Sequence, residues 1–178
     1  ATGLVWGRWS GGTATVVANG NQNALPLEGR SLHYVFSGVG TGPVTLPLEG
    51  TATYDLIGST SPTNSSGAVG TLNSASLLAD FTNRTVDTSV NLTISGQNIV
   101  GVANDVPIFR EQYFSAFQGA VPGGLPVPQQ LQITCNPACS NPTGSIDGFF
   151  VGSGAIGAGM MYNLNGASGA AAFRRPGT

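Results

Sequence analysis

The residues able to do covalent or metal chemistry in this chain are few, and each stands apart from the partners it would need. Cys135 and Cys139 are the only cysteines, separated by Asn136, Pro137 and Ala138. Three intervening residues with a central proline let the chain curl enough to bring the two thiols together, which predicts a small loop-closing disulfide. Zinc competes for the same pair, but a structural site takes four ligands, and the chain offers one histidine and no third cysteine. A ring this short stabilises little through chain entropy and mainly stiffens its own loop.

His33 is the sole histidine, so any nucleophilic triad would have to be built on it. No G-x-S-x-G pentapeptide stands in a strand-to-helix setting, and His33 alternates with Tyr34 in an extended run, which reads as a structural strand histidine. Gly152-Ser153-Gly154-Ala155-Ile156-Gly157 matches the dinucleotide pattern G-x-G-x-x-G, but no helix pattern follows and the last acid of the chain is Asp147. Without a ribose-binding carboxylate downstream, the string reads as a turn between strands. Asp80 with Asp87, and Asp105 with Glu111, flank turns and are read as solvated carboxylates; no D-x-D-x-D spacing points to calcium. The chain is therefore read as non-catalytic, with no cofactor and no metal.

Trp6 and Trp9, three apart around Gly7-Arg8, point to opposite faces if the segment is a strand, so one can pack inward while the other stays available for contact. Trp6, Trp9 and Tyr113 are the candidate contact residues. Asn64, Asn83 and Asn91 open N-x-[ST] sequons, which arise freely in a chain this rich in Asn, Ser and Thr.

The composition behind these residues excludes whole classes. Only 6 residues are basic and 8 acidic in 178, for a net charge of -2. Scattered arginines at that charge give no surface for nucleic acid. With 27 Gly and 11 Pro, the chain lacks the make-up of a coiled coil or helical bundle, and 40% hydrophobic content at small net charge argues for a folded domain. No apolar run reaches the ~18 residues of a spanning helix. Both methionines, Met160 and Met161, are internal, so a processed or truncated product is expected. The disulfide places it in an oxidising compartment: secreted, extracellular or at the cell surface.

The elements that must position these residues are strands. Thr85 to Ser95 alternates, with Val86, Val90, Leu92 and Ile94 on one parity and Asp87, Ser89, Asn91 and Thr93 on the other. Ala75, Leu77, Ala79 and Phe81 form a similar stripe before it, and Ile99 to Ala103 a third after Ser95-Gly96-Gln97-Asn98, giving an antiparallel meander. Further strands are predicted at Leu32–Ser37, Thr51–Ile57, Tyr113–Gln118, Ser145–Val151, Ala158–Leu164 and Gly169–Arg174. Trp6–Trp9 and Thr13–Ala18 would form a hairpin about Ser10-Gly11-Gly12. Asp105 to Phe117 is read as an extended connection into a strand rather than a helix capped by Asp105. Gly148, Gly157, Gly159 and Gly169 suit a strongly curved sheet. Long loops are expected at 58–70 and 119–130. The resulting architecture is all-β: an antiparallel barrel of eight strands or slightly more (46–178), with an extended N-terminal arm (1–45) docked on it or exchanged between barrels.

The tail from Ser145 through Gly148-Phe149-Phe150, Gly152, Ala155, Gly159 and Tyr162, closing with Gly169, Phe173, Arg174 and Arg175, resembles the last hairpin and final strand of transferrin-binding-protein-like β-barrels. Gly50 to Tyr54 and Leu77 to Val90 are similar to earlier strands of that family, although Gly152-Ser153-Gly154 lacks the family's proline. Residues 45 to 175 also resemble the C-terminal region of secreted bacterial FecR-domain-containing proteins, including Val106-Pro107-Ile108 and the Cys135/Cys139 loop. The resemblance implies an eight-stranded barrel and an exported bacterial protein; it carries over no ligand site and no transferrin binding.

These readings converge on an extracellular barrel module that binds a surface partner or other protein subunits, as a homo-oligomer, filament or surface layer. A small-ligand carrier using the barrel lumen and an outer-membrane barrel are the alternatives. Outer faces built from Thr, Ser and Asn forgo the charges that normally protect sheet edges, so any exposed edge must be closed, covered by the arm or paired with a neighbour.

Overall fold

A computed structural model describes residues 2–18, 20–38, 42–119 and 130–177. Strands account for its regular structure: β1 (Leu4–Ser10), β2 (Thr13–Ala18), β3 (Asn21–Pro26), β4 (Ser31–Ser37), β5 (Thr51–Ser59), β6 (Thr63–Asn64), β7 (Thr71–Asp80), β8 (Thr85–Ile94), β9 (Gln97–Pro107), β10 (Tyr113–Gln118), β11 (Leu131–Asn136), β12 (Gly144–Val151), β13 (Gly157–Leu164) and β14 (Ala167–Arg174). There is no helix among the described residues. The connection after Asp105 is extended, as expected, and reverses tightly where Phe109 and Tyr113 bond to each other's backbone.

One antiparallel sheet runs in the order β10-β12-β13-β14-β5-β7-β8-β9-β11, with β6 pairing the start of β14. It curls until its two end strands, β10 and β11, approach each other, and the Gln118 side-chain oxygen accepts the Ile133 N–H across that seam at 2.5 Å. The sheet is thus a nearly closed barrel. Its curvature comes from register shifts at Leu72/Ser74, Val86/Thr88 and Ala172/Phe173, since a bulge bends its strand and raises the local twist.

The alternation of β8 explains how the wall is built. Val86, Val90, Leu92 and Ile94 are buried in the main core cluster, while Asp87, Ser89, Asn91 and Thr93 form the outer face. Outside, the polar groups satisfy one another: Ser76 and Ser89 hydroxyls lie 2.7 Å apart, and Asn73 donates to Asn91 at 3.0 Å and to Thr93 at 2.9 Å. Inside, Phe150 packs against Tyr54, Phe81 and Phe114 at ring-centroid distances of 5.8, 5.9 and 5.8 Å. Together with Leu77, Leu92, Met160 and Tyr162, these rings fill the lumen.

The four glycines expected to bend the sheet have a different task, which is close approach. A Cβ on Gly148 would meet the Phe114 ring at 2.1 Å, and one on Gly169 would meet the Tyr162 hydroxyl at 2.2 Å. On the outer face, Cβ atoms on Gly157 and Gly159 would strike Thr2 and Val35 of the N-terminal segment, each within 2.9 Å.

The expected hairpin between Trp6–Trp9 and Thr13–Ala18 does not form. β1 pairs instead with β4, from Leu4↔Ser37 to Ser10↔Ser31, and β2 pairs with β3, from Thr13↔Pro26 to Ala18↔Asn21. Residues 4 to 37 are therefore one long two-stranded ribbon, with an offset at Gly11, Gly12 and Leu27, where Gly11 N–H donates to Leu27 O and Leu27 N–H to Gly12 O. The reversal falls between Ala18 and Asn21, where Gly20 adopts a positive φ of 77°. Ser10-Gly11-Gly12 supplies the offset, not the turn. β6 lies inside the loop expected at 58–70, and β11 follows Gln130 in a stretch assigned no strand above; of the loop expected at 119–130, residues 120–129 lie outside the described residues.

Candidate functional site

The base of the ribbon lies flat on the barrel. Register places Leu4, Trp6, His33 and Val35 on its inner face, and Val5, Gly7, Trp9, Leu32, Tyr34 and Phe36 on its outer face. Leu4 and Val35 bury a second, smaller core with Val151, Ala170 and Ala172, against which Trp6 and Phe149 also pack. This is why β14 reads Gly-Ala-Ala-Ala in its middle: both of its faces are covered, and larger side chains would hold the ribbon off. Trp6 seats itself over Gly58, where a Cβ would meet the indole at 2.1 Å. Gly58→Val is expected to evict the indole, at a cost of about 1–3 kcal/mol typical of overpacking, with a red-shifted tryptophan emission and proteolysis confined to the ribbon. Unchanged emission would show that the wall yields instead.

His33 is the polar pin of the interface. It is 4% exposed, with Nδ1 2.8 Å from Thr60 Oγ1 and Nε2 2.8 Å from Thr63 Oγ1. Thr60 Oγ1 already accepts the Ala170 N–H at 2.9 Å, so its own proton is free to point at Nδ1, leaving Nε2–H to donate to Thr63. Burial, with a smaller contribution from the Arg8 charge, pushes the His33 pKa down to about 4. Asp147 lines the same cleft. The histidine has hydrogen-bond partners on both ring nitrogens.

The outer face of the ribbon is where apolar surface meets solvent. Trp9 and Phe36 are 54% and 48% exposed, and Tyr34 lies between them, at 4.7 Å from the Trp9 ring and 5.7 Å from the Phe36 ring. Tyr34 folds across its cross-strand partner Gly7, whose missing side chain leaves room for the ring. Beyond Phe36, a cleft of about 390 Å³ lined by Val35, Phe36, Val44, Tyr113 and Phe149 leads to the Phe109–Tyr113 ring pair, 6.0 Å apart. Of the three candidate contact residues, Trp9 and Tyr113 belong to this stripe, whereas Trp6 faces the barrel. Phe36 and Tyr34 were not singled out in the sequence, although their spacing of two on one strand is the signal that finds them.

The remaining sequence candidates do structural work. Cys135 and Cys139 form a disulfide with Cα atoms 5.5 Å apart, and Gln97 Nε2 donates to Pro137 O within that loop at 3.0 Å. Gly152 to Ile156 connect β12 to β13, clamped by Thr45, whose backbone O accepts the Ala155 N–H and whose hydroxyl accepts the Gly154 N–H. Asp80 accepts the Asn83 backbone and side-chain N–H groups, which hold its carboxyl below the usual range. Asp87 accepts the Asp105 N–H at 2.8 Å. No group of three or more His, Cys, Asp or Glu stands together to hold a metal among the described residues. No described helix is long and apolar enough to cross a membrane.

No protein-family model matches the chain, and no curated protein matches it. Solved structures give partial overlap. Intact Ap-TbpB, with its N and C lobes, superposes over 94% of this chain at 16% identity and a TM-score of 0.40. A single-site mutant of the vaccine antigen Transferrin Binding Protein B from Haemophilus parasuis Hp5 covers 92% at 11% identity and a TM-score of 0.35. The match spans 38% and 32% of those longer chains. The resemblance to FecR-domain-containing proteins gains no support from these two structures.

Proposed function

We propose that this chain is a non-catalytic β-barrel module, displayed outside the cell, that binds other protein subunits, copies of itself included, through its ribbon arm. The observation that carries this reading is the aromatic stripe of Trp9, Tyr34 and Phe36, exposed on a ribbon that the second core and the His33 pin hold in place. A connected apolar patch on a fixed scaffold marks a contact surface. The low charge density supports self-association, because little electrostatic repulsion keeps copies apart. The Cys135–Cys139 disulfide supports an oxidising location.

Two alternatives lose ground on specific residues. A lumen carrier needs an empty interior, and a barrel of about eight strands is only just wide enough for one small ligand; here Phe81, Phe114 and Phe150 occupy it. An outer-membrane barrel turns apolar side chains to lipid and polar ones inward, the reverse of β8.

Electron microscopy of native surface material tests the reading: ordered polymers or layers of barrels are expected. Single dispersed barrels, together with a purified chain that stays monomeric at high concentration, would overturn it.

A further inference from the structure

The outer half of the ribbon, β2 with β3, is a two-stranded sheet that pairs with nothing else among the described residues. Thr13, Thr15 and Val17 on one strand and Asn21 to Ala24 on the other are exposed, and Val17 is 64% exposed. None of its described side chains belongs to a buried core cluster. Such a hairpin is marginal in water, and three or more strands are needed before a sheet of this kind is stable by itself. Natural proteins protect free edges with charge, proline or bulges, yet no charged residue stands between Thr13 and Pro26, and the flanking charges, Arg8 and Glu28, lie outside the hairpin.

The two edges are not equal. β3 is rich in Asn and Gln, which disfavour strands, and ends on Pro26. β2, Thr13-Ala14-Thr15-Val16-Val17-Ala18, is built from Thr, Val and Ala with neither proline nor a register shift in its ladder. The barrel's own seam is a poorer acceptor, because Gln118 already spans it to Ile133.

Resting on the self-binding reading above, we infer that β2 is the homotypic contact: it pairs edge to edge with β2 of a second copy, making a continuous four-stranded sheet β3-β2-β2-β3 about a two-fold axis. The pairing satisfies the free backbone edges of both copies and lifts two marginal hairpins over the strand-number threshold together. The interface is isologous, since the same strand serves both sides.

Sedimentation velocity of the full chain over a wide concentration range tests this, comparing it with the double variant Thr15→Lys/Val17→Lys and with a variant in which residues 13–26 are replaced by Asn-Gly. That second variant closes between Gly12 and Leu27, already hydrogen-bonded at 2.8 Å, and it shortens the ribbon without touching the barrel. The expected result is a dimerising parent, dimerisation at least about tenfold weaker in the lysine variant from like charges placed opposite each other, none in the shortened one, and the same thermal unfolding for all three. A parent that associates while both variants associate equally would overturn β2 pairing and leave the self-binding reading standing on another surface. A parent that stays monomeric throughout would overturn both.

Discussion

Phe150→Ala is expected to destabilise the barrel by about 3–5 kcal/mol, the range for a fully buried phenylalanine whose neighbours cannot close the gap. Phe150 is 1% exposed and touches three other rings, from β5 (Tyr54), the β7–β8 turn (Phe81) and β10 (Phe114). These elements belong to opposite sides of the wall, fixed by their own ladders, so the cavity would persist. At roughly 2–4 °C per kcal/mol for a chain of this size, the thermal midpoint should fall by about 10 °C. Phe149 is the internal comparison. One residue earlier on β12, it faces outward beneath the ribbon beside Val35 and Gly159, so Phe149→Ala should loosen the arm and cost the barrel far less. Thermal unfolding of both variants, with the arm followed by hydrogen exchange, makes the comparison; equal losses would mean that the lumen is not the main store of packing energy.

The second large effect is set by pH. Docking the ribbon buries His33 neutral, with a pKa of about 4 against about 6.5 for a free histidine. Between those values the docked state binds fewer protons than the released one, so docking is at full strength above about pH 6.5 and weakens as pH falls toward 4, by on the order of 3 kcal/mol in all. Asp80 stays ionised through the upper part of this window, since its hydrogen bonds from Asn83 lower its pKa. Amide exchange in β1 and β4 should therefore accelerate on acidification from pH 7 to 4.5 while the β7–β9 meander stays protected. His33→Gln, which keeps a hydrogen-bonding side chain but cannot take a proton, should flatten the dependence. An identical pH profile in that variant would remove His33 as the cause.

The sheet could be read from the chain because period-two alternation is local. Val86, Val90, Leu92 and Ile94 declare their face without reference to any distant residue, and the same holds for Leu77 and Phe81. Strand pairing across longer separations was harder. Trp6–Trp9 was expected to pair with the next extended run because Ser10-Gly11-Gly12 is a plausible turn, yet Ser10 finds Ser31 and Leu4 finds Ser37. β11 carries a weak signal because Leu131 and Ile133 alternate over only six residues next to a proline-rich stretch.

The surface was legible in part. Trp9 and Tyr113 stand out as aromatics, but which of Trp6 and Trp9 faces solvent depends on which side of the ribbon meets the barrel, and that is decided by Gly58 on β5 and by Gly157 and Gly159 on β13. The sequence by itself determined an all-β wall with polar outer faces and a short disulfide ring, since both follow from residue type and near-neighbour spacing. Only the tertiary structure decided the long ribbon, its His33 pin and its bare outer hairpin. The ribbon base and its His33 pin depend on contacts between residues twenty to more than a hundred positions apart, and a free sheet edge exists only once every other strand has found its partner.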